Sequence, residues 1–385
     1  MSRFLRIAIL AHSTNPRGGV VHALELGDAL TRLGHEAVVH APDPKGVGFF
    51  RPSRCRTVSV AASTVGADVA EMVRIRAGNY VSHFEDPANR GFDVFHAQDG
   101  ISGNALASLK ERGFIRGFAR TVHHVDAFRD PALAELQRRA IVSADRHFVV
   151  SHLWQGLLGE MFGLPAALVG NGVDTRRFLP MTDGREPPLA ARLGLGAGPV
   201  VLAVGGVEER KNTRRLLDAF IQLRAMHPRA QLVIAGGASV LDHHAYRADF
   251  EAALAASGLP ADAVIRTGPL AQDDMPALYR LADVLAFASV KEGFGLVALE
   301  AMACGVPAVV SAIAPFTEHI GEEEAVWCDP LSAGSIANAL MLALKPETRL
   351  RLAALGPAVA ARHDWATTAR AHLPTYESLA EPAHA

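Results

Sequence analysis

The sequence predicts an α/β protein made of two similar halves, each a parallel sheet with helices on both faces. Short β-rich apolar runs alternate with longer helical patterns along the whole chain, and the alternation starts afresh after a Pro- and Gly-rich stretch near the middle. The 385 residues are also enough for two ordinary domains, each with its own core. Strands that alternate with helices need crossover connections, and so give parallel sheets buried on both faces.

In the first half, Leu5–Ala11 reads as a buried strand and Val20–Leu33 as a helix with Leu24, Leu26, Leu30 and Leu33 on its inner side. Gly34 stands where a helix C-cap belongs, and Ala37–Ala41 is the next strand. Asp93–His96, Phe118–His123 and Arg146–Ser151 continue the sheet. Residues 181–198 carry Asp183, Gly184, Pro187, Pro188, Gly194, Gly196 and Gly198 and read as a linker with a short helix around Leu189–Leu193. Pro199–Val204, Gln231–Ala235, Val264–Gly268, Val284–Ala288 and Ala308–Ser311 are the strands of the second half, with a helix over Asn212–Met226 after the first. A last helix runs from about Ala366 to Leu379. The expected division is therefore 1–180, linker 181–198, 199–365, and a terminal helix and tail at 366–385.

Composition narrows the function. Hydrophobic residues make up 49% and charged residues 20%, as in a folded globular protein. A net charge of -2 lacks the basic excess of a nucleic-acid binder. The first residues, Met1 to Ile9, resemble a strand more than a signal peptide, and no apolar run approaches the ~18–20 residues of a membrane span. Cys55, Cys304 and Cys328 have no ligand-like spacing, which suits a reducing compartment; the expected place is the cytoplasm, including the inner membrane face.

The residues with chemistry gather after strands, where parallel sheets bind ligands. Glu292-Gly293-Phe294-Gly295-Leu296 is a glycine-rich turn leading into a helix that carries Glu300. Backbone N–H groups at such a turn can meet phosphate, while a carboxylate one to two turns along can accept hydrogen bonds from a ribose diol. Ala298, Ala301, Met302 and Ala303 make this helix apolar on nearly every face, so Glu300 needs a partner. Gly205-Gly206, followed by Arg210 and Lys211 at the start of the next helix, makes a diphosphate site. Cations at a helix N-terminus oppose its dipole, which favours function over a solvated basic pair.

Gly18 and Gly19 occupy the corresponding turn of the first half, where a ligand approach and a simple tight turn are equally good readings. His123 and His124 end a strand and point to opposite faces, so one of them enters the site. For His96 a structural role is at least as good, and Gly170–Asp174 reads as a structural turn. Lys110 to Arg120 interleaves four cations with Phe114, Ile115 and Phe118, and reads as a solvated basic edge, with contact to an anionic membrane surface as the alternative.

Taken together, these segments resemble the retaining glycosyltransferases of family 4. The resemblance runs through the N-terminal glycine pair, Leu33-Gly34-His35-Glu36, Thr121-Val122-His123, Asn171-Gly172-Val173-Asp174, Lys211, Leu278–Asp283 and Glu292 to Pro307. It implies the GT-B architecture, two Rossmann-like domains facing each other across a cleft, with the C-terminal helix crossing back to the first. It also implies a nucleotide-sugar donor, UDP- or GDP-linked, held by the second domain. Glu300 would hold the ribose, Gly293 to Leu296 would meet the phosphates and sugar, and Glu292 would lie near the sugar. Lys211 would stabilise the departing diphosphate, and His123 would approach the donor sugar with Gly18 and Gly19 lining the cleft.

No cofactor is implied, and no Asp-x-Asp occurs, in keeping with the metal independence typical of the fold. The acceptor, a glycan, lipid or small molecule, stays open. Many relatives carry Arg where this chain has Gly206, and Arg210 is the residue that could supply that charge. Alternatives are a nucleotide-sugar 2-epimerase on the same scaffold and a non-catalytic nucleotide-sugar binder. An NAD-linked enzyme is disfavoured, since no Gly-x-Gly-x-x-Gly follows the first strand of either half.

Overall fold

The computed structural model describes residues 3–237 and 244–381. The chain forms two α/β units, one comprising the residues up to Asn171 together with those from Trp365 on, the other Gly172–Asp364. In the first unit the strands are β1 (Arg6–Leu10), β2 (Glu36–Asp43), β3 (Arg56–Ala61), β4 (Val94–Ala97), β5 (Ala119–Val122), β6 (Arg146–Val149) and β7 (Ala167–Leu168). They pair in the order β3-β2-β1-β4-β5-β6-β7, all parallel. The second unit has β8 (Val200–Val204), β9 (Gln231–Ala235), β10 (Val264–Gly268), β11 (Val284–Phe287), β12 (Ala308–Ser311) and β13 (Val326–Cys328). Their order is β10-β9-β8-β11-β12-β13, again all parallel.

Both sheets reverse strand order beside their first strand, between β1 and β4 and between β8 and β11. In a doubly wound sheet the connecting helices part to opposite faces there, leaving a crevice at the carboxyl ends. Central strands such as Val201-Leu202 and Ile7-Ala8-Ile9 are fully buried, which is why they read as unbroken apolar runs. The strands β3, β7 and β13 were not among the expected ones. They are edge strands, β7 and β13 only two and three residues long and β3 largely exposed, so the apolar signal of a central strand is missing.

The division of the chain differs from the expected one. Residues 172–198 pack with the second unit: the Arg177 guanidinium donates to the Gln272 carbonyl, and the Phe178 ring meets Tyr279 edge-on at 5.8 Å. The short helix expected in the linker is present as Glu186–Leu193, and Arg280 ties this stretch to the unit through Glu186 at 2.5 Å and Asp183 at 3.1 Å. Its Pro and Gly residues mark turns, not looseness.

The helix Trp365–Ala380 belongs to the first unit, where it packs along the helix Gly18–Arg32. Tyr376 Oη is hydrogen-bonded to His96 Nδ1 at 2.7 Å, and His96 Nε2 to Thr121 Oγ1 at 2.7 Å, so His96 ties this helix to β4 and β5. Residues 382–385 of the expected tail lie outside the described residues.

The stretch from Lys110 to Arg120 is neither a membrane face nor a simple solvated edge. Phe118 and Ile115 lie in the core, Lys110 pairs with Asp145 at 2.6 Å and Arg112 with Glu85 at 2.6 Å. Arg120 is a buried residue of β5. Among the described residues no helix is long and apolar enough to cross a membrane. The three cysteines are free and buried, and burial pushes each thiol up to about 12.

Candidate active site

The second unit gathers its chemistry at the β8/β11 crevice. Beyond β8 the chain turns through Gly205 at φ 130° and Gly206 at φ 78° into a short 3-10 turn, Glu209–Lys211. Both glycine N–H groups point to the Ala235 carbonyl, at 2.8 and 3.2 Å. These two donors are therefore spent within the sheet, and the cations that follow are the groups of the turn left to meet an anion. A Cβ at Gly206 would lie 2.7 Å from the Gly237 carbonyl oxygen, and one at Gly205 would lie 2.6 Å from Lys211 Cε. With its positive φ and a carbonyl that close, position 206 suits glycine and not a side chain.

Arg210 and Lys211 precede the helix Thr213–Met226 instead of opening it, because Asn212 intervenes in the left-handed conformation at φ 60°. The Asn212 amide is buried and donates to the Ala288 and Pro330 carbonyls at 2.9 and 2.7 Å, which fixes the turn over the ends of β11 and β13. The expectation that the cations sit in the helix's first turn is corrected accordingly.

Lys211 Nζ and Arg210 Nη1 converge on one oxygen, Glu292 Oε1, at 2.7 and 2.9 Å. Lys211 also stands 4.5 Å over the Phe287 ring. Burial alone would push the Glu292 carboxyl up, but the Lys211 and Arg210 charges outweigh it and hold it below the usual range. Burial pulls Lys211 below its usual range, with Glu292 offsetting part of the effect. The cluster is thus an ionic one, with two cations around one carboxylate and Glu208 a further 3.5 Å from Arg210.

Gly295, at φ 102°, has Phe316 Cε1 only 2.4 Å from where a Cβ would stand, so glycine is obligatory there. The helix Leu296–Ala303 follows without a side-chain cap; the Ala298 N–H donates back to the Gly295 carbonyl at 3.0 Å, and the N–H groups before it lie at the open end of the helix. The Phe294 ring turns away and stacks on His319 at 4.2 Å, so this residue serves the turn through its backbone. Glu300 Oε2 accepts from the buried Tyr279 hydroxyl at 2.6 Å. That bond supplies the partner an acidic residue in so apolar a helix requires, and it orients the carboxylate.

In the first unit Gly19 faces His123, whose Nε2 would lie 3.9 Å from a Cβ there, and Gly18 has open space around it. His123 Nε2 is hydrogen-bonded to Gln98 Oε1 at 3.0 Å, and its ring meets His22 edge-on at 4.9 Å. Burial, with the nearby imidazoles His22 and His124, holds His123 well below its ordinary value, so it works as a neutral hydrogen-bonding group. His124 turns outward to Asp126 at 3.3 Å. Asn171 bonds the buried His22 at 2.6 Å, so the turn at 170–174 holds the first glycine-turn helix in place.

Comparisons with known proteins give the family. Residues 16–177 match the Glycosyltransferase Family 4 domain and residues 191–360 the Glycosyl transferases group 1 domain. The D-inositol 3-phosphate glycosyltransferase of Salinispora arenicola is 30% identical over 319 residues, 74% of this chain and 66% of that one. That of Acidothermus cellulolyticus is 31% identical over 311 residues, 75% of this chain and 68% of that one. The chain thus spans about two-thirds of the length of these curated relatives. It belongs to glycosyltransferase family 4.

Solved structures place this family 4 glycosyltransferase chain in the GT-B fold. Sucrose-phosphate synthase from Thermosynechococcus elongatus superposes with a TM-score of 0.78 at 22% identity, covering 97% of this chain and 99% of that one. HepE from Anabaena, solved in complex with UDP-glucose, gives 0.77 at 18% identity, covering 97% and 100%. Of the residues singled out in the sequence, Gly205, Arg210, Lys211 and Glu292 come together in one ionic cluster, with Gly295 and Phe294 held by the aromatic rings beside it. Gly19 and His123 come together in the first unit. Sequence reasoning gave no role to Tyr279, Asn212, Gln98 or His22. Each acts through a contact to a residue at least 20 positions away, so no local pattern marks it; Tyr279 alone stood inside a segment of family likeness.

Proposed function

We propose that the protein is a retaining glycosyltransferase that moves a sugar from a nucleoside-diphosphate donor to an acceptor hydroxyl. The observation that carries this reading is the convergence of Lys211 and Arg210 on Glu292 at the β8/β11 crevice. A donor diphosphate brought there meets two cations already held in place and partly desolvated, where their charge acts most strongly. As the bond from the anomeric carbon to the phosphate oxygen breaks, negative charge grows on the diphosphate and Lys211 and Arg210 neutralise it. The acceptor oxygen bonds to the anomeric carbon on the same face, and its proton passes to the departing phosphate oxygen. No protein nucleophile is used and no metal is required for this charge balance.

Glu300, steadied by Tyr279, holds the ribose hydroxyls, and the N-terminus of the helix Leu296–Ala303 faces phosphate. Glu292 keeps the two cations in register and lies beside the sugar. Neutral His123 offers a hydrogen bond to a sugar hydroxyl from the first unit, next to Gly18 and Gly19. HepE's complex with UDP-glucose makes UDP the first nucleotide to try. A thermal-shift screen of UDP-, GDP- and ADP-sugars tests the reading, since a ligand at 100 times its Kd stabilises by ~2.7 kcal/mol. The reading fails if none of them stabilises the protein.

A further inference from the structure

The turn that leads into the helix Leu296–Ala303 carries one side chain between two glycines, that of Phe294. Gly293 and Gly295 leave the backbone there free to take many conformations, so the turn has to be fixed from outside itself. The backbone of Gly295 lies against the Phe316 ring, and Phe294, with 6% of its surface exposed, is the anchor.

The seat of that anchor is His319, the last residue of the short helix Phe316–His319. The two rings lie parallel, their planes 4° apart and their centroids 4.2 Å apart. His363, which follows the helix Pro346–Ala361, closes the group edge-on, 5.8 Å from Phe294 and 5.5 Å from His319. Its own place is set by its backbone: the N–H donates to the Ala360 carbonyl at 3.0 Å, and the carbonyl accepts from the Val173 N–H at 2.9 Å. Both ring nitrogens of His319 are buried, and neither makes a hydrogen bond of normal geometry. Burial lowers His319 to about 4; His363 and Arg362 add to this, and the Pro315 carbonyl opposes it. At pH 7 the imidazole is neutral, and what it presents to Phe294 is an aromatic plane.

The same group of rings continues toward the cation pair. Phe316 lies 6.4 Å from His319 and meets Phe287 edge-on at 5.3 Å, and Lys211 Nζ stands 4.5 Å over Phe287. One row of aromatic rings thus backs both the glycine turn and the lysine.

We propose that His319 is a positioning residue: by stacking on Phe294 it holds residues 293–296 in the shape that receives the donor diphosphate. The identity of the ligand rests on the glycosyltransferase reading; the clamp on the turn does not.

The test uses the full chain and two readouts. UDP is titrated by calorimetry into wild type, His319→Ala, His319→Phe, Phe294→Leu and the double variant of His319→Ala with Phe294→Leu. Hydrogen exchange is followed at residues 293–296 without ligand. His319→Ala is expected to weaken UDP binding about two- to tenfold, the range of one aromatic pair, and to speed exchange at 293–296 while β8 exchanges as before. His319→Phe keeps the plane and drops the nitrogens, and is expected to match wild type in both readouts. The double variant is expected to lose no more than the worse single variant, because the two side chains act through each other. Wild-type UDP affinity in folded His319→Ala overturns the proposal even if its melting temperature falls, since that is the outcome of a purely structural histidine. So does a His319→Phe protein as weak as His319→Ala, or an additive loss in the double variant. Should His319→Ala not fold, Phe294→Leu takes its place, with the same loss expected and wild-type affinity again overturning the proposal. If wild type does not bind UDP, the donor reading fails, and exchange at 293–296 by itself decides the clamp.

Discussion

The two units share one strand plan and fill its crevice in opposite ways. At β8/β11 the buried cation is matched inside the protein: Lys211 and Arg210 meet Glu292, and the tyrosine at 279 meets Glu300. At β1/β4 the first unit offers neutral imidazoles, a half-used Asp99 and a guanidinium with no partner for two of its nitrogens. The contrast teaches how one scaffold divides labour. The second unit's cations are held in place by a carboxylate of their own unit, the preorganisation that the proposed diphosphate site calls for. The first unit keeps buried polar atoms, Arg120 Nε and Nη1 among them, without hydrogen-bond partners.

The largest expected effect tests the matched side. Lys211→Ala should lower kcat by ~10²–10³-fold, the scale of removing one preorganised donor from a developing anion, with an unchanged circular dichroism spectrum. Turnover close to wild type would hand the leaving-group role to Arg210.

Acidification should break the first unit before the second. Burial lowers His22 to about 4, and His372 and His40 to about 3, so the folded state binds these protons later than the unfolded chain does. Stability is therefore complete above pH ~6.5 and is lost as pH falls toward the folded values, by ~3 kcal/mol for His22 alone. Among the described residues of the second unit, His319 is the histidine lowered as far, to about 4. Hydrogen exchange at pH 7 and 4.5 should show the larger loss of protection in residues 3–171 and 365–381. Equal loss in both units would erase this difference.

A smaller effect separates the ribose carboxylate from its support. Glu300→Ala should weaken nucleotide binding by ~1–3 kcal/mol, and Tyr279→Phe, which removes a single hydrogen bond to it, by ~0.5–1.5 kcal/mol. Calorimetry that finds Tyr279→Phe the more damaging would make the tyrosine, not the glutamate, the binding group. The smallest contrast lies on one strand end: His123→Ala should depress transfer more than His124→Ala, because only His123 faces Gly19 and Gln98. The opposite ranking in initial rates would place the sugar on the other side of β5.

Much of the second unit's candidate site was legible because its residues lie in two short segments, 205–211 and 292–300. Glycines with positive φ, a cation pair and a carboxylate in an apolar helix are local signals, readable from neighbours along the chain. The first unit resisted for the same reason in reverse. Arg120 read as part of a surface run because nothing near it in sequence shows that β5 is central. The domain limits differ at 172–198: residues 172–180 were expected in the first domain and 181–198 as a linker, and in the structure both stretches belong to the second unit, where Arg280, nearly a hundred residues later, binds Asp183 and Glu186.

By itself the sequence determined the alternation of strand and helix, hence two parallel sheets, and the glycine turns at which a backbone can meet phosphate. Those follow from local propensity, burial periodicity and steric freedom, which act over a few residues. Only the tertiary structure decided which charges meet. Glu292 reaches Lys211 across 81 positions because β11 lies beside β8, and Tyr279 reaches Glu300 because the helices after β10 and β11 pack together. Arg120 is buried because the strand order puts β5 inside the sheet, and its Nε and Nη1 are left without hydrogen-bond partners. Pairing of buried charge depends on distances of a few ångströms between residues far apart in the chain, and those distances are set by sheet order, not by composition.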